Sequence, residues 1–224
     1  MNIPESNSQV LQDIFVLALT RKRGGFFVEI GGFHSREISN TFLLENGFGW
    51  GGITVEIDSD RASELRENRQ SIVIEADATK INWKKVLRRG DVQKAPDYLQ
   101  VDCEPALSSL LALIRVLIAG IRPRVITFEH DAYAQGTLLR VIPQGRFVRR
   151  GSRAILAMTG YLLVAPNVGT RDSKKPFEDW WVRTDVQFPK QARGTLVTDS
   201  AQFLMDSGLY SAYREFVTAP GSSG

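Results

Sequence analysis

Gly25-Phe26-Phe27-Val28-Glu29-Ile30-Gly31-Gly32-Phe33-His34, followed about twenty residues on by Gly52-Ile53-Thr54-Val55-Glu56-Ile57-Asp58, decides how the rest of the chain is read. Each stretch is a short apolar run with an acidic residue at its end. A strand buried on both faces of a parallel sheet reads as such a run. The glycine pair after the first run lets the backbone come close to a ligand. A carboxylate at the end of the second is placed to accept hydrogen bonds from a ribose. Together they predict a site for a nucleotide-like cofactor.

Working outward, strand-like and helix-like segments alternate along the whole chain. Strands are expected at 26–30, 53–57, 72–74, 98–103, 125–128, 161–164 and 180–183. Val10, Leu11, Ile14, Phe15 and Leu17 recur at helical spacing within 8–21. Ser39 is placed to cap a helix over 40–45, which Asn46-Gly47 would end. Asp58 and Asp60 favour the start of a polar helix running to residue 69. A brief helix is expected over 82–89, and Pro105 stands at the first position of a long apolar one. A helix over 151–159 ends at Gly160, one or two short helices fall within 200–216, and 219–224 reads as a frayed tail. This alternation predicts a single doubly wound α/β domain with a mostly parallel seven-stranded sheet and helices on both faces. In such folds ligands collect at the carboxyl ends of the strands. The conspicuous polar residues fall there: Glu29, His34, Glu56, Asp58, Asp77, Asp102, Glu104, Glu129, His130 and Asp131.

The 224 residues suit one domain with a sizeable core, and 43% hydrophobic with 24% charged residues is the balance of a soluble globular protein. No window approaches the roughly 20 apolar residues of a membrane helix. The first residues lack the basic start and apolar centre of a signal peptide. Cys103 is the single cysteine, which excludes an internal disulfide and a cysteine zinc site. A cytoplasmic enzyme that does not engage a membrane is expected. The net charge of +3 is mild, and Arg146 to Arg153 is the densest basic run. Such a run is usually a solvated face, so nucleic acid is not the expected partner.

Glu29 stands before the glycines and no complete GxGxxG follows, which favours S-adenosylmethionine over a dinucleotide. Gly31 and Gly32 would then pass under the cofactor's amino-acid end, their amides donating to its carboxylate; the plainer reading is a strand-to-helix turn that needs glycine. Glu56 would take the ribose hydroxyls. Asp77 would accept from the adenine amino group while the Ala78 amide donates to the ring, or Asp77 is simply a turn aspartate. Asp102 and Glu104 end the fourth strand where cofactor and methyl acceptor would meet, although Glu104 also suits a helix start. His130 is a candidate base whose tautomer a carboxylate such as Glu129 would fix. Asp102, Glu129 and Asp131 are also oxygen ligands suited to a hard divalent cation, an option the spacing does not require. Cys103 reads as a packed small hydrophobe.

The chain resembles the FkbM family of S-adenosylmethionine-dependent methyltransferases. The matching pieces, in order, are Ser8-Gln9 with Gln12 to Val16, Gly24 to Gly31, Ser39 to Glu45, Gly49 to Ile53 and Val55-Glu56. They continue with Asp97 to Glu104, Ile126 to Glu129, Gly160 to Val164 and Glu178 to Val182. The resemblance implies a Rossmann-like class I methyltransferase domain over 1–218 and methyl transfer, commonly to a hydroxyl of a sugar, glycan or natural product. It implies cofactor binding by Glu29, Gly31, Glu56 and Asp77, with Asp102 at the reaction centre. It also implies that residues 1–23 fold over the site, bringing Gln12 and Asp13 to the substrate beside Glu104. The chain departs from the family in its Gly32-Phe33-His34-Ser35 loop, which lacks a last glycine, and in Pro105, which replaces the glycine expected after Glu104. Two other readings remain beside this one: a non-catalytic binding or scaffold module on the same fold, and a nucleic-acid methyltransferase resting on the basic run.

Overall fold

The computed structural model describes residues 5–90, 93–132, 137–138, 142–169, 175–189 and 199–219. Its centre is a seven-stranded sheet of order β3-β2-β1-β4-β5-β9-β8. The strands are β1 (Phe26–Ile30), β2 (Gly51–Glu56), β3 (Ile72–Glu75), β4 (Tyr98–Val101), β5 (Val125–Glu129), β8 (Tyr161–Val168) and β9 (Glu178–Arg183). β1 to β5 pair in parallel, while β9 runs antiparallel to both its neighbours, β5 and β8. The chain starts in the middle of the sheet, winds to one edge and returns to build the other half, which creates a crevice between β1 and β4.

Side-chain alternation divides the core in two. Phe27, Tyr98, Val125, Trp180 and Val182 face one layer. That layer is made by α1 (Gln12–Thr20), α2 (Phe42–Phe48), α7 (Ser200–Asp206) and α8 (Leu209–Thr218). Val28, Ile30, Leu99, Val101, Ile126, Phe128 and Trp181 face the other. There α4 (Trp83–Arg89), α5 (Ala106–Ile118) and α6 (Gln144–Met158) pack. The last helix, α3 (Ser59–Asn68), starts as its acids predict, with Asp58 Oδ1 accepting from the amides of Asp60 and Arg61 at 3.0 Å. Phe15 of α1 stacks on Trp180 at 4.4 Å between ring centroids, which fixes the N-terminal helix over the sheet.

Two helices differ from expectation. α2 runs through Asn46-Gly47 and ends at Gly49, whose φ of +65° supplies the left-handed cap. Its N-cap is Thr41, without a side-chain cap bond, and Ser39, two residues earlier, instead accepts from the Phe42 amide at 3.1 Å. α6 begins at Gln144 rather than 151, after a two-stranded hairpin of β6 (Thr137–Leu138) and β7 (Ile142–Pro143) that no sequence pattern announced. The basic run therefore lies inside a helix. Arg149 and Arg153 both donate to Asn167 Oδ1, and Arg153 forks onto Asp179 at 2.7 and 2.8 Å. Of the frayed tail, residues 220–224 lie outside the described residues.

The strand ends are brought close by one glycine. Gly31, at φ +89°, lies so near β4 that a Cβ there would sit 1.7 Å from the Asp102 carbonyl oxygen. Gly120 has almost the same φ, +88°, with nothing within 4 Å. Gly31→Ala should therefore lose more than ~3 kcal/mol, whereas Gly120→Ala should lose only the left-handed penalty of about 1–2 kcal/mol. Urea unfolding of the two variants checks the difference; equal losses would mean that the β1–β4 approach is not tight.

Candidate active site

A cavity of about 530 Å³ opens at the carboxyl ends of β1, β2 and β4, under the start of α1. One row across the sheet forms its rim. Glu56 lies opposite Glu75, and Glu129 opposite Glu178. Gly31 and Asp102 follow the pairs Ile30–Val55 and Ile30–Val101 by one step. Because residues in one row of a sheet point to one face, this places a file of carboxylates on either side of a glycine.

Ten of the residues singled out from sequence line the cavity. Glu29, Gly31, Gly32, Glu56, Asp77 and Ala78 do so on the β1–β3 side. Gln12, Asp102, Glu104 and Glu129 do so around the β4 end. The glycine loop is built differently from expectation. The amides of Gly31 and Gly32 donate to the Val55 carbonyl at 2.9 and 3.3 Å, and that of Phe33 donates to Glu56 Oε2 at 2.9 Å. These amides are engaged within the protein instead of facing a ligand carboxylate. Gly32 is glycine because a Cβ would meet Thr54 and Leu65 at 2.5 and 2.8 Å. Glu56 also accepts from the amides of Ile57 and Asp58 through its other oxygen, at 2.7 and 2.9 Å. Asp77 forms a turn: its Oδ1 accepts from the Thr79 amide and hydroxyl, and Lys80 pairs with its other oxygen. The Thr79 hydroxyl, then Lys80, hold its carboxyl down to about 2.

Arg69, which the sequence reading passed over as the end of a polar helix, is the buried centre of this side. Its Nη2 reaches Glu45 at 3.0 Å and Thr41 Oγ1 at 2.8 Å, and its Nη1 lies 3.9 Å from Glu29. Nη1 also donates to Ser39 Oγ and the Ser35 carbonyl. Glu29 accepts from Thr54 Oγ1 at 2.9 Å. Burial raises its pKa against the pull of Arg69, and it serves as a strut beneath the loop. A buried arginine cannot be seen in helix periodicity; a charged residue directly after a helix, with acids at 29 and 45, was the only signal.

The opposite end is acidic. Burial pushes the Asp102 carboxyl up to about 6, against a hydrogen bond from Glu129 and helped by the charges of Asp131 and Glu104. Burial, then the charges of Asp102 and Asp131, raise Glu129 well above its usual value, and its carboxyl group is hydrogen-bonded to that of Asp102. Glu104 is raised as well, by burial and by Asp131. Among the described residues no three His, Cys, Asp or Glu side chains are placed to hold a metal ion. Two buried amide oxygens on the wall, Asn40 Oδ1 and Gln100 Oε1, have no hydrogen-bond partner.

His130 and Asp13 lie outside the cavity, which corrects their expected roles. His130 is fully buried on the opposite face, its Nδ1 accepting from the Ala132 amide and its Nε2 3.5 Å from Asp179. Burial opposes the Asp179 charge, yet Arg153 and His130 hold it down to about 2. Asp13 is fully buried and accepts from the hydroxyls of Ser6 and Ser8 and the amide of Asn7. It anchors the strand-like start of the chain over the site and does not face a substrate.

No protein-family model matches this chain, and no curated protein matches it by sequence. Solved structures do resemble it. One is an O-methyltransferase from Bacillus cereus in complex with S-adenosylhomocysteine (SAH), at 18% identity and a TM-score of 0.52, over 83% of this chain and 85% of that one. Another is human methyltransferase-like protein 13 in complex with SAH, at 15% identity and a TM-score of 0.53, over 94% and 91%. A third is an SAH-bound methyltransferase from Podospora anserina, at 14% identity and a TM-score of 0.52, over 77% and 76%. The shared sheet order makes the fold that of the class I methyltransferases.

The Arg69 cluster can be tested apart from any activity. Arg69→Met would strand Glu29 and Glu45 in the interior and should cost about 3–5 kcal/mol. Adding Glu45→Gln should recover part of that loss, because one of the stranded charges is removed. Chemical denaturation of both variants measures this, and a single variant within 1 kcal/mol of wild type would refute the central role of Arg69.

Proposed function

We propose that this chain is an S-adenosylmethionine-dependent methyltransferase of the FkbM kind. Its substrate on this reading is a hydroxyl on a sugar, glycan or small natural product in the cytoplasm. The observation that carries the proposal is the order of acids around one cavity on this sheet: Glu56 after β2, Asp77 after β3, Asp102 after β4. The motif series quoted above supplies the link to the family.

The residues present fit the cofactor. About 530 Å³ lies within the range of small-molecule sites. A carboxylate has about four acceptor positions. Phe33, Ile57 and Asp58 fill three of those on Glu56, leaving one for a ribose hydroxyl. The unpartnered oxygen of Asn40 on the cavity wall offers a further acceptor. When bound, S-adenosylmethionine supplies a methyl group made electrophilic by its sulfonium. The chain's own part is to align the acceptor oxygen and to take its proton. Asp102 suits the second task, since a carboxylate near pH 6 is ionised at neutral pH yet more basic than an exposed one. Glu129, protonated, would hold Asp102 in place. Gln12 and Glu104 would flank the acceptor.

One observation favours a second reading, a binding module without turnover. The loop amides that would meet the cofactor's carboxylate are already engaged by Val55 and Glu56. The nucleic-acid reading loses Arg149 and Arg153 to Asn167 and Asp179.

Calorimetric titration with S-adenosylmethionine should show binding that Glu56→Ala weakens about 10- to 100-fold, the worth of a hydrogen bond to a charged group. Absence of binding by folded wild-type protein would refute the proposal, and binding without turnover on any hydroxyl acceptor would favour the module. The rate should also fall as pH drops through about 6, where Asp102 becomes protonated. Asp102→Asn should lose about 10²–10⁴-fold in kcat. A rate indifferent to pH between 5 and 8 would remove Asp102 from the role of base.

A further inference from the structure

The cavity wall carries an imbalance that the cofactor does not absorb. Six carboxylates line it (Glu29, Glu56, Asp77, Asp102, Glu104 and Glu129), while Arg61 is the one cationic side chain among the described lining residues. Arg61 lies over the Phe33 ring at 3.8 Å, on the cofactor side of the cavity. Glu29 is engaged by Thr54 and Arg69, Asp77 by Thr79 and Lys80, and Glu56 largely by backbone amides. What remains is the β4 end, where Asp102, Glu104 and Glu129 line the cavity with no cationic side chain beside them among the described lining residues. A second feature points to a ligand there independently. Gln100, 2% exposed, lies two residues before Asp102 on the same face of β4, and its Oε1 lines the cavity without a hydrogen-bond partner. Buried acceptors are nearly always satisfied, so an orphan oxygen on a cavity wall points to a donor from a ligand in the cavity.

We propose that the molecule bound at this end carries a protonated amine beside its hydroxyls, the ammonium lying among Asp102, Glu104 and Glu129 and a further donor engaging Gln100. This deepens the preceding section's reading and rests on it, since it assigns the acceptor class for the same cavity. An amino sugar or amino polyol has the required chemistry. A phosphorylated sugar or a nucleic-acid backbone would bring anions against this acidic end. Burial first, and then neighbouring carboxyl groups including Asp131, raise Asp102, Glu104 and Glu129, and a bound cation offsets the repulsive part.

Three matched probes test the inference: glucamine, sorbitol and sorbitol 6-phosphate, titrated at neutral pH into the full chain with and without saturating SAH. Glucamine should bind at least about tenfold more tightly than sorbitol, and sorbitol 6-phosphate more weakly than either. Added salt should shrink the amine's advantage, as screening requires. Glu104→Gln should shrink it about threefold or more, and Gln100→Leu should weaken glucamine and sorbitol alike. Equal affinities, a preference for the phosphate, or binding of none of the three would overturn the inference. Selection of the amine by protein that binds no SAH would sink the methyltransferase reading and leave the ammonium site standing. SAH binding without amine selection would do the reverse.

Discussion

The guanidinium of Arg69 is the constraint on which this site depends. A buried guanidinium needs acceptors, and although its Nε finds none, Nη1 and Nη2 draw theirs from separate segments. These are Glu45 of α2, Thr41 and Ser39 before it, the Ser35 carbonyl of the loop, and Glu29 of β1. The loop from Gly31 to Thr41 is thus tied at both ends, by the glycine packing on β4 at one and by Arg69 at the other. A loop held so firmly forms a wall, and Phe33, Ile38, Ser39 and Asn40 all contribute to the cavity from it. The long side chain was hidden in the sequence because its partners lie 24 to 40 positions away, and neither helix nor strand periodicity reports on such distances.

The acid row at the strand ends is the second constraint, and it opposes folding. Two charges about 4 Å apart repel by ~4 kcal/mol at an effective dielectric of about 20. Burial and mutual repulsion raise both Asp102 and Glu129, which favours a proton shared between the two hydrogen-bonded carboxyl groups. Glu178, next in the row, is pushed up to about 8 by burial and receives hydrogen bonds from Trp180 and Gln12. Structural economy alone would replace such a row with apolar side chains. Its place at the mouth of a cavity is what the proposed function draws on, since raised carboxyl groups cluster at functional sites.

Much of the fold was legible because each strand is a short apolar run and each break carries a glycine, a proline or an acid. The seven expected strands all occur, and Asp58 caps α3 as its residue type requires. The hairpin before α6 was not legible: its strands are two residues each, too short to show a period. The first turns of α6 were lost with it, for Arg146, Arg149, Arg150 and Arg153 read as a charged surface run until Asn167 and Asp179 are placed opposite two of them. In the cavity, the acids were found from their positions at strand ends. Asn40 and Gln100 were not, because an amide side chain attracts notice only when a structure shows what it fails to touch.

Of the three candidates Asp102, Glu129 and His130, only His130 lies away from the cavity, and strand alternation already contained that result. Histidine is the side chain whose ordinary pKa suits a base at neutral pH, and that preference selected residue 130. Strand alternation selects otherwise. Val125 and Thr127 share the face of Gln100 and Asp102, so Glu129 must share it too, while His130 follows Ile126 and Phe128 to the opposite face. There it meets Asp179, which lies on the same side as Trp181. The amides of His130 and Asp131 both donate to the Phe177 carbonyl, which holds the chain in register past the end of β5 and leaves the ring no path back. The period of two therefore outranks chemical suitability in choosing a catalytic group at a strand end: a side chain must first be on the ligand's face, and burial can then shift a carboxyl toward the pKa that histidine has by nature.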